Sequence, residues 1–328
     1  MAGITGLGTT YNLPNFVGNL FSVSPEDTPF LSSIGGLTGG RAVNSTVFTW
    51  STYDLRDADD TRQRLEGADA PEAEGRARVQ GTNVVEIHQE QVAVSYTKQA
   101  ATNQFGGSEP FTGGPNLVQD ELGWQLQQEF KQIARDVEKS FITGTYQLPA
   151  NGTTARKTRG LLEAITTNSV PLSAGLTAED VLDLMQQVWE SGGIQESETR
   201  TIMVGGTLKR VLTKLFVTDA NYQEASRNVG GVNVQTIETD FGRTNVMLNR
   251  YIPDGTLIVA SLEDCTPCFL EIPGKGHFFA EPLAKTGASE KVQIYGEIGL
   301  DYGNEVKHGK ITGITATGAT RAVKSAAK

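Results

Sequence analysis

Val43-Asn-Ser-Thr-Val-Phe-Thr-Trp-Ser-Thr-Tyr53 and Thr82-Asn-Val-Val-Glu-Ile-His-Gln-Glu-Gln-Val-Ala-Val-Ser-Tyr-Thr-Lys98 are two strand-like arms around a charged tip. The first arm is rich in β-branched and aromatic residues, and the second alternates apolar with polar. The tip, Asp54 to Arg78, holds eight acids and five arginines and has almost nothing to bury. An isolated two-stranded hairpin is marginal in water. A long one with a polar tip needs a surface to lie on, supplied by its own domain or by another copy of the chain. In the second arm Val85 and Ile87 share one parity, and Val92, Val94 and Tyr96 take the other. Alternation cannot change phase without a bulge or bend, which is expected near Gln89 to Gln91.

The remainder of the chain is long enough to give that hairpin a body. It has 328 residues, a formal net charge of -10 and 38% hydrophobic residues. That length allows two or three packed units of roughly 100–150 residues each. The acidic balance argues against a dedicated DNA-binding surface, which needs clustered Lys and Arg, but not against a protein that encloses nucleic acid. No apolar run approaches the ~20 residues of a membrane span. The N-terminus shows neither the basic nor the apolar region of a signal peptide.

Met1 to Gly40 reads as an extended arm anchored by Phe16, Val17, Leu20, Phe21, Phe30, Leu31 and Ile34. After the Gly/Pro-rich break from Gly106 to Pro115, Asn116 is a candidate N-cap with Gln119 in the capping-box position. Val118, Leu122, Leu126, Phe130, Ile133, Val137 and Phe141 then form one apolar stripe of a helix ending at Gly144. From Leu117 to Thr143 it would run roughly 40 Å. Gly160 to Thr167 reads as a short strand. A helix capped by Thr177 and Asp180 buries Val181, Leu184, Met185 and Val188 and stops at Gly192-Gly193. Thr201 to Val204 is a buried strand, and Thr207 caps a third helix. From Val232 the pattern is β, and Lys291 to Ile314 reads as paired strands. Segregated strands and helices define an α+β chain.

A search for chemistry finds no convergent site. Cys265-Thr-Pro-Cys268 is a CxxC between two strand-like runs, with no second pair to complete a zinc site. His88, His277 and His308 are scattered. No nucleophile elbow or phosphate-binding loop is present. The acids of the tip alternate with arginines and read as a solvated charge run. No enzyme activity, cofactor or metal is therefore expected.

The order of features resembles a known family. Glu26-Asp-Thr-Pro-Phe-Leu-Ser-Ser-Ile-Gly35 is similar to the D-T-P-F opening of one branch of the tailed-bacteriophage major capsid proteins of the Hong Kong 97 type. Val92-Ala-Val-Ser-Tyr-Thr97 resembles that branch's strand leading back from the extended loop. Gly296-Glu-Ile-Gly-Leu300 and Asn304-Glu-Val-Lys-His-Gly-Lys-Ile-Thr-Gly313 resemble its ending. The resemblance implies a Hong Kong 97-like fold: N-terminal arm, 1–42; extended β-hairpin loop, 43–98; peripheral domain, 99–169, with a spine helix over 117–143; axial domain, 170–287; return strands of the peripheral domain, 288–314; and a flexible tail, 315–328.

It also implies a role. The subunit would form hexamers and pentamers of an icosahedral shell around double-stranded DNA, without reading its sequence. Its partners would be itself, a portal and, since the arm-like region begins at Met1, a separate scaffolding or decoration protein. The setting would be the virion, assembled in the bacterial cytoplasm, with no membrane. The alternative is an encapsulin-like nanocompartment shell. Some relatives crosslink through a lysine of the extended loop. Here Val43 to Thr97 contains no lysine, so a non-covalent shell is expected. The candidate inter-subunit contacts are Trp50, Asp57, Arg62, Arg64, Glu66, Glu72, Glu74, Arg76 and Arg78. Each exposed ion pair contributes only ~0–1 kcal/mol, but a shell repeats it many times.

Overall fold

The computed structural model describes residues 26–55, 58–101, 120–194, 200–218 and 236–315. In chain order the elements are α1 (Pro29–Ile34), β1 (Arg41–Val43), β2 (Val47–Tyr53), β3 (Arg78–Val84), β4 (Glu86–Ser95), α2 (Tyr96–Ala101) and α3 (Glu121–Thr143). Then follow α4 (Leu161–Ala164), β5 (Ser169–Pro171), α5 (Ala178–Glu190), β6 (Arg200–Val204), α6 (Gly206–Thr218), β7 (Thr236–Thr239) and β8 (Gly242–Leu248). The chain closes with β9 (Leu257–Ser261), β10 (Thr266–Leu270), β11 (Phe278–Pro282), β12 (Ser289–Asp301) and β13 (Gly309–Thr312).

Two compact units can be distinguished. The first comprises Met1–Asp27, Gln89–Ile133 and Ala280–Ile294. Its strands carry a polar ladder: Gln89 donates to Gln293 at 3.0 Å, and Gln293 donates to Glu281 at 2.8 Å. Lys131 pairs with Glu26 at 2.8 Å.

The second unit comprises Thr28–His88, Ala134–Phe279 and Tyr295–Lys328. Its larger sheet has the order β5-β13-β9-β6-β8-β7. Strands β6 and β9 are buried at every position, as strands covered on both faces must be. Helix α5 packs here because its stripe of Val181, Leu184, Met185 and Val188 has no exposure. Its start is the predicted capping box, with Thr177 and Asp180 each bonding the other's backbone N–H. In the other sheet β1 runs parallel to β10, and β10 runs antiparallel to the end of β12. Pro267 lies in β10 one residue before the β1 pairing starts at Cys268, so on that side its missing N–H is not needed.

Several expectations change. The hairpin is shorter than the arms suggest. Strand β2 pairs with β3 from Val47↔Val84 to Tyr53↔Arg78, while β1 pairs with β10. The second arm breaks at Val85, where Val84, Val85 and Glu86 are all buried in succession. Beyond it β4 runs unbroken through Gln89 to Gln91, so the bend lies earlier than expected. Ile87 points outward at 48% exposure and Glu86 inward, the reverse of the expected parity. Glu86 tolerates burial because it accepts the Thr158 N–H at 3.1 Å and lies 3.0 Å from His88 Nε2.

Tyr96 begins helix α2 instead of continuing the strand. Gly160–Thr167 holds the single helical turn α4, not a strand. Helix α6 starts at Gly206, one residue ahead of the expected cap. Strands β12 and β13 do not pair with each other: β13 lies between β5 and β9. Helix α3 is described from Glu121, about 35 Å of helix. Its stripe is fully buried at Ile133, Val137 and Phe141 and half-buried at Leu122, Leu126 and Phe130. The expected cap at Asn116, most of the arm, the 232–235 segment and the tail beyond Thr315 lie outside the described residues.

Two buried polar side chains tie distant segments together. Glu138 of α3 accepts the Phe30 and Leu31 N–H groups at 2.9 and 2.6 Å, and Asn249 also donates to it. It thereby satisfies two N–H groups that the first turn of α1 leaves unbonded, where Thr28 provides no side-chain cap. Asn83, with no exposure, donates to the Leu300 and Arg159 carbonyls at 2.7 and 3.2 Å. Its Oδ1 accepts from the Arg159 and Val84 N–H groups at 2.8 and 2.9 Å. All four hydrogen-bonding valences of the amide are filled. Asn83→Leu strands buried backbone groups, each worth about 1–3 kcal/mol. The expected outcome is a loss of about 3 kcal/mol in urea denaturation, whereas the same change at exposed Gln80 is near neutral.

Candidate inter-subunit surface

The hairpin leaves the body from a fixed base. On one face of the ribbon Phe48 pairs with Asn83 and Trp50 with Gly81. The Trp50 indole lies across Gly81, where any Cβ would run into the ring. Its Nε1–H donates to the Gly303 carbonyl at 2.6 Å, and Tyr302 meets it edge-on at 4.9 Å. Phe48, Val85 and Cys268 form the small core beneath, with Val43, Trp50 and Leu270 packed against it. An aromatic pair of this geometry adds about 0.5–1.5 kcal/mol beyond its buried area. Trp50, expected to touch a neighbouring subunit, is seated on its own chain, because the turn after β12 offers a carbonyl that its N–H can reach.

Further out the ribbon is exposed. Tyr53 and Val79 show 68% and 67% of their surface, and Leu55 and Leu65 in the tip show 67% and 86%. The tip holds its own shape through ion pairs across it. Arg62 on the outgoing side pairs with Glu74 on the returning side, Arg76 reaches the same carboxylate at 3.0 Å, and Arg62 lies 3.4 Å from Asp59. Asp59 also accepts from the Thr61 hydroxyl at 2.6 Å. The hydrogen bond from Arg62, helped by Arg76, holds the Glu74 carboxyl down to about 2. At the apex the Ala68 N–H donates to the Leu65 carbonyl at 3.1 Å. Gly67 there has φ 81°, the left-handed value that the third residue of a type II turn requires.

Apart from Trp50, the predicted contact residues divide into three sets. Arg62, Glu74 and Arg76 are engaged within the tip. Arg64, Glu66, Glu72 and Arg78 are exposed and make no ion pair among the described residues. Asp57 lies outside the described residues. Sequence reasoning missed the exposed apolar members Leu65 and Val79, although the Gly67 turn beside Leu65 was a readable signal.

It also missed a groove of about 470 Å³ in the second unit, between the end of α3, the start of β4 and the 155–157 loop. Ile87, Asp136, Lys139, Arg156 and Lys157 line it. Arg156 is paired with Glu297 at 2.8 Å. Lys139 and Lys157 are exposed and unpaired among the described residues. Nothing in the sequence joins these positions, which only the tertiary fold brings together.

No competing chemistry appears among the described residues. No group of three or more His, Cys, Asp or Glu side chains could hold a metal ion there, and no helix is long and apolar enough to cross a membrane. Both cysteines are buried free thiols. Burial pushes the Cys265 thiol far above its ordinary value and the Cys268 thiol up to about 11, the opposite of what a nucleophile needs. His308 is buried, with the Ser261 N–H on Nδ1 and the Tyr302 carbonyl on Nε2.

A long helix, a two-stranded loop and a mixed sheet are the elements of the Hong Kong 97-type capsid fold. The chain belongs to the family described as SU10 major capsid protein, whose model matches residues 3–315. It is a bacteriophage major capsid protein, a subunit of a shell built from identical copies. The major capsid protein of Escherichia phage Phieco32 is 24% identical, over 90% of this chain and 92% of that one. Among solved structures, the capsid of cyanophage A-1(L) aligns with a TM-score of 0.61 at 12% identity, over 94% of this chain and 99% of that one. The SrpI encapsulin of Synechococcus elongatus PCC 7942 aligns with a TM-score of 0.57 at 10% identity, over 94% of each chain. These last two likenesses show the fold alone.

The Glu74 carboxyl should titrate near 2 in carboxyl-labelled NMR spectra. Because its folded value is depressed, the cross-tip pairing is complete above the ordinary carboxylate range and is lost as pH falls through the folded value. Arg62→Gln should return Glu74 toward the ordinary range. An unchanged titration would mean that Arg62 does not hold it.

Proposed function

We propose that this subunit assembles into hexamers and pentamers of a closed icosahedral shell around double-stranded DNA, and that the β2–β3 ribbon is the clasp between neighbouring copies. The observation that carries this reading is the contrast within the hairpin. The side-chain polar groups of Asn83 and Trp50 at its base are all bonded, while Val79 on the outer ribbon and Leu55 and Leu65 in the tip are exposed to solvent. An apolar and charged tip on a rigid stem suits a surface outside its own chain.

In this reading residues 1–42 are the arm and 43–98 the extended loop and its base. Residues 99–169, with the spine α3, are the peripheral domain. The β5-β13-β9-β6-β8-β7 sheet with α5 and α6 is the axial domain. Strand β12 returns to the peripheral domain, and β13 is reassigned to the axial sheet because of its pairing. A portal and a separate scaffolding or decoration protein complete the partners, and assembly takes place in the bacterial cytoplasm. The shell is held non-covalently, since the loop offers no lysine. The subunit performs no catalysis. Replacing both thiols, Cys265→Ser with Cys268→Ser, should leave assembly intact, and lost particles without lost folding would point to a role for them.

The encapsulin-like fold keeps one alternative in view, a shell around protein cargo. Nuclease-protected DNA inside purified particles supports the phage reading, and an enclosed enzyme instead of DNA would replace it. Deleting residues 55–77 should abolish closed shells in electron micrographs while leaving a folded subunit. Normal particles from that deletion would contradict the clasp. Boiled, denatured particles should run as single chains, and a crosslinked ladder would contradict the non-covalent shell.

A further inference from the structure

We infer that the groove lined by Ile87, Lys139 and Lys157 is the receptor for the hairpin apex of a second copy of this chain, which seats Leu65 on Ile87 and places Glu66 and Asp69 against the two lysines. The inference rests on the clasp reading above and names the surface that the clasp grips. Observations on the apex and on the groove converge on it.

The apex is a fixed shape: the Leu65–Ala68 turn is closed by a 3.1 Å backbone hydrogen bond, and the Arg62–Glu74 pair ties its two sides together. A preformed loop loses little freedom on docking. Leu65, at 86% exposure, is the most exposed large apolar residue described, so it gains the most from being covered. The tip carries more acids than arginines, and Glu66 within the turn and Asp69 just after it are unpaired among the described residues.

The groove answers in both respects. Ile87 is apolar, lines the groove and is 48% exposed, and Lys139 and Lys157 are exposed there without an ion pair among the described residues. Of the other charges of the lining, Asp136 is an exposed carboxylate one turn of α3 from Lys139, and the rest are paired. Glu86 accepts from Thr158 and lies beside His88, and Arg156 is paired with Glu297. The two lysines are thus the cations left for a partner. The tip is exposed on its own subunit throughout residues 58–77, so the occupant is assigned to another copy.

A charge-swap cycle tests this with the full chain. Glu66→Lys with Asp69→Lys, and separately Lys139→Glu with Lys157→Glu, should each leave the urea midpoint of the subunit unchanged. Each should lower the yield of closed shells in sedimentation and electron microscopy by about tenfold or more, because like charges then face each other. The quadruple variant restores the opposite signs and should recover to within about threefold of the original chain. Failure of the quadruple to recover would overturn the pairing. So would full assembly of either double variant, which would leave the groove to a different occupant. The 55–77 deletion runs alongside. If it blocks shells while the charge reversals do not, only the groove assignment falls. If the deletion itself assembles normally, the clasp reading falls.

Discussion

The amide of Asn83 holds this structure's most demanding element in place. A two-stranded ribbon leaves most of its backbone edges and side chains to solvent and cannot stabilise itself. Asn83 bonds the ribbon's last buried pair to the Leu300 carbonyl of β12 and to both backbone groups of Arg159. Trp50, two residues beyond its partner Phe48, adds a second attachment at Gly303. With the base fixed at these points, the direction of the ribbon is set by the body, and the tip is free to be polar. Gly81 belongs to the same device, since only a residue without a side chain lets the indole lie flat against the partner strand.

The charges of the tip have two roles. Some shape it: Glu74 gathers Arg62 and Arg76 and closes the loop on itself. Others are left over, and they accompany exposed leucine and valine side chains. Exposed ion pairs contribute little singly. A shell multiplies each contact by its copy number, so weak, reversible contacts suit an assembly that must correct errors before it closes.

Much of this is legible from residue order. The capping box at Thr177 and Asp180, the α5 stripe and the buried β6 strand rest on local chemistry, and the family's motifs carry the fold. The failures share a cause. Parity places Glu86 outward and Ile87 inward because it assumes that carboxylates avoid cores. The backbone N–H of Thr158, seventy-two residues away, reverses that assumption. The groove is invisible because Ile87, Lys139 and Lys157 are distant in sequence. Strand β13 looks like the partner of β12 for lack of any signal that it crosses to the other sheet.

The central claim is that a ribbon anchored on its own subunit closes the shell by gripping the next one. Cryo-electron microscopy of particles formed by the purified chain tests it most directly. The account predicts closed shells in which density for residues 58–77 of each subunit lies on a neighbouring subunit, without a covalent link. Shells in which that density folds back onto its own subunit would contradict it.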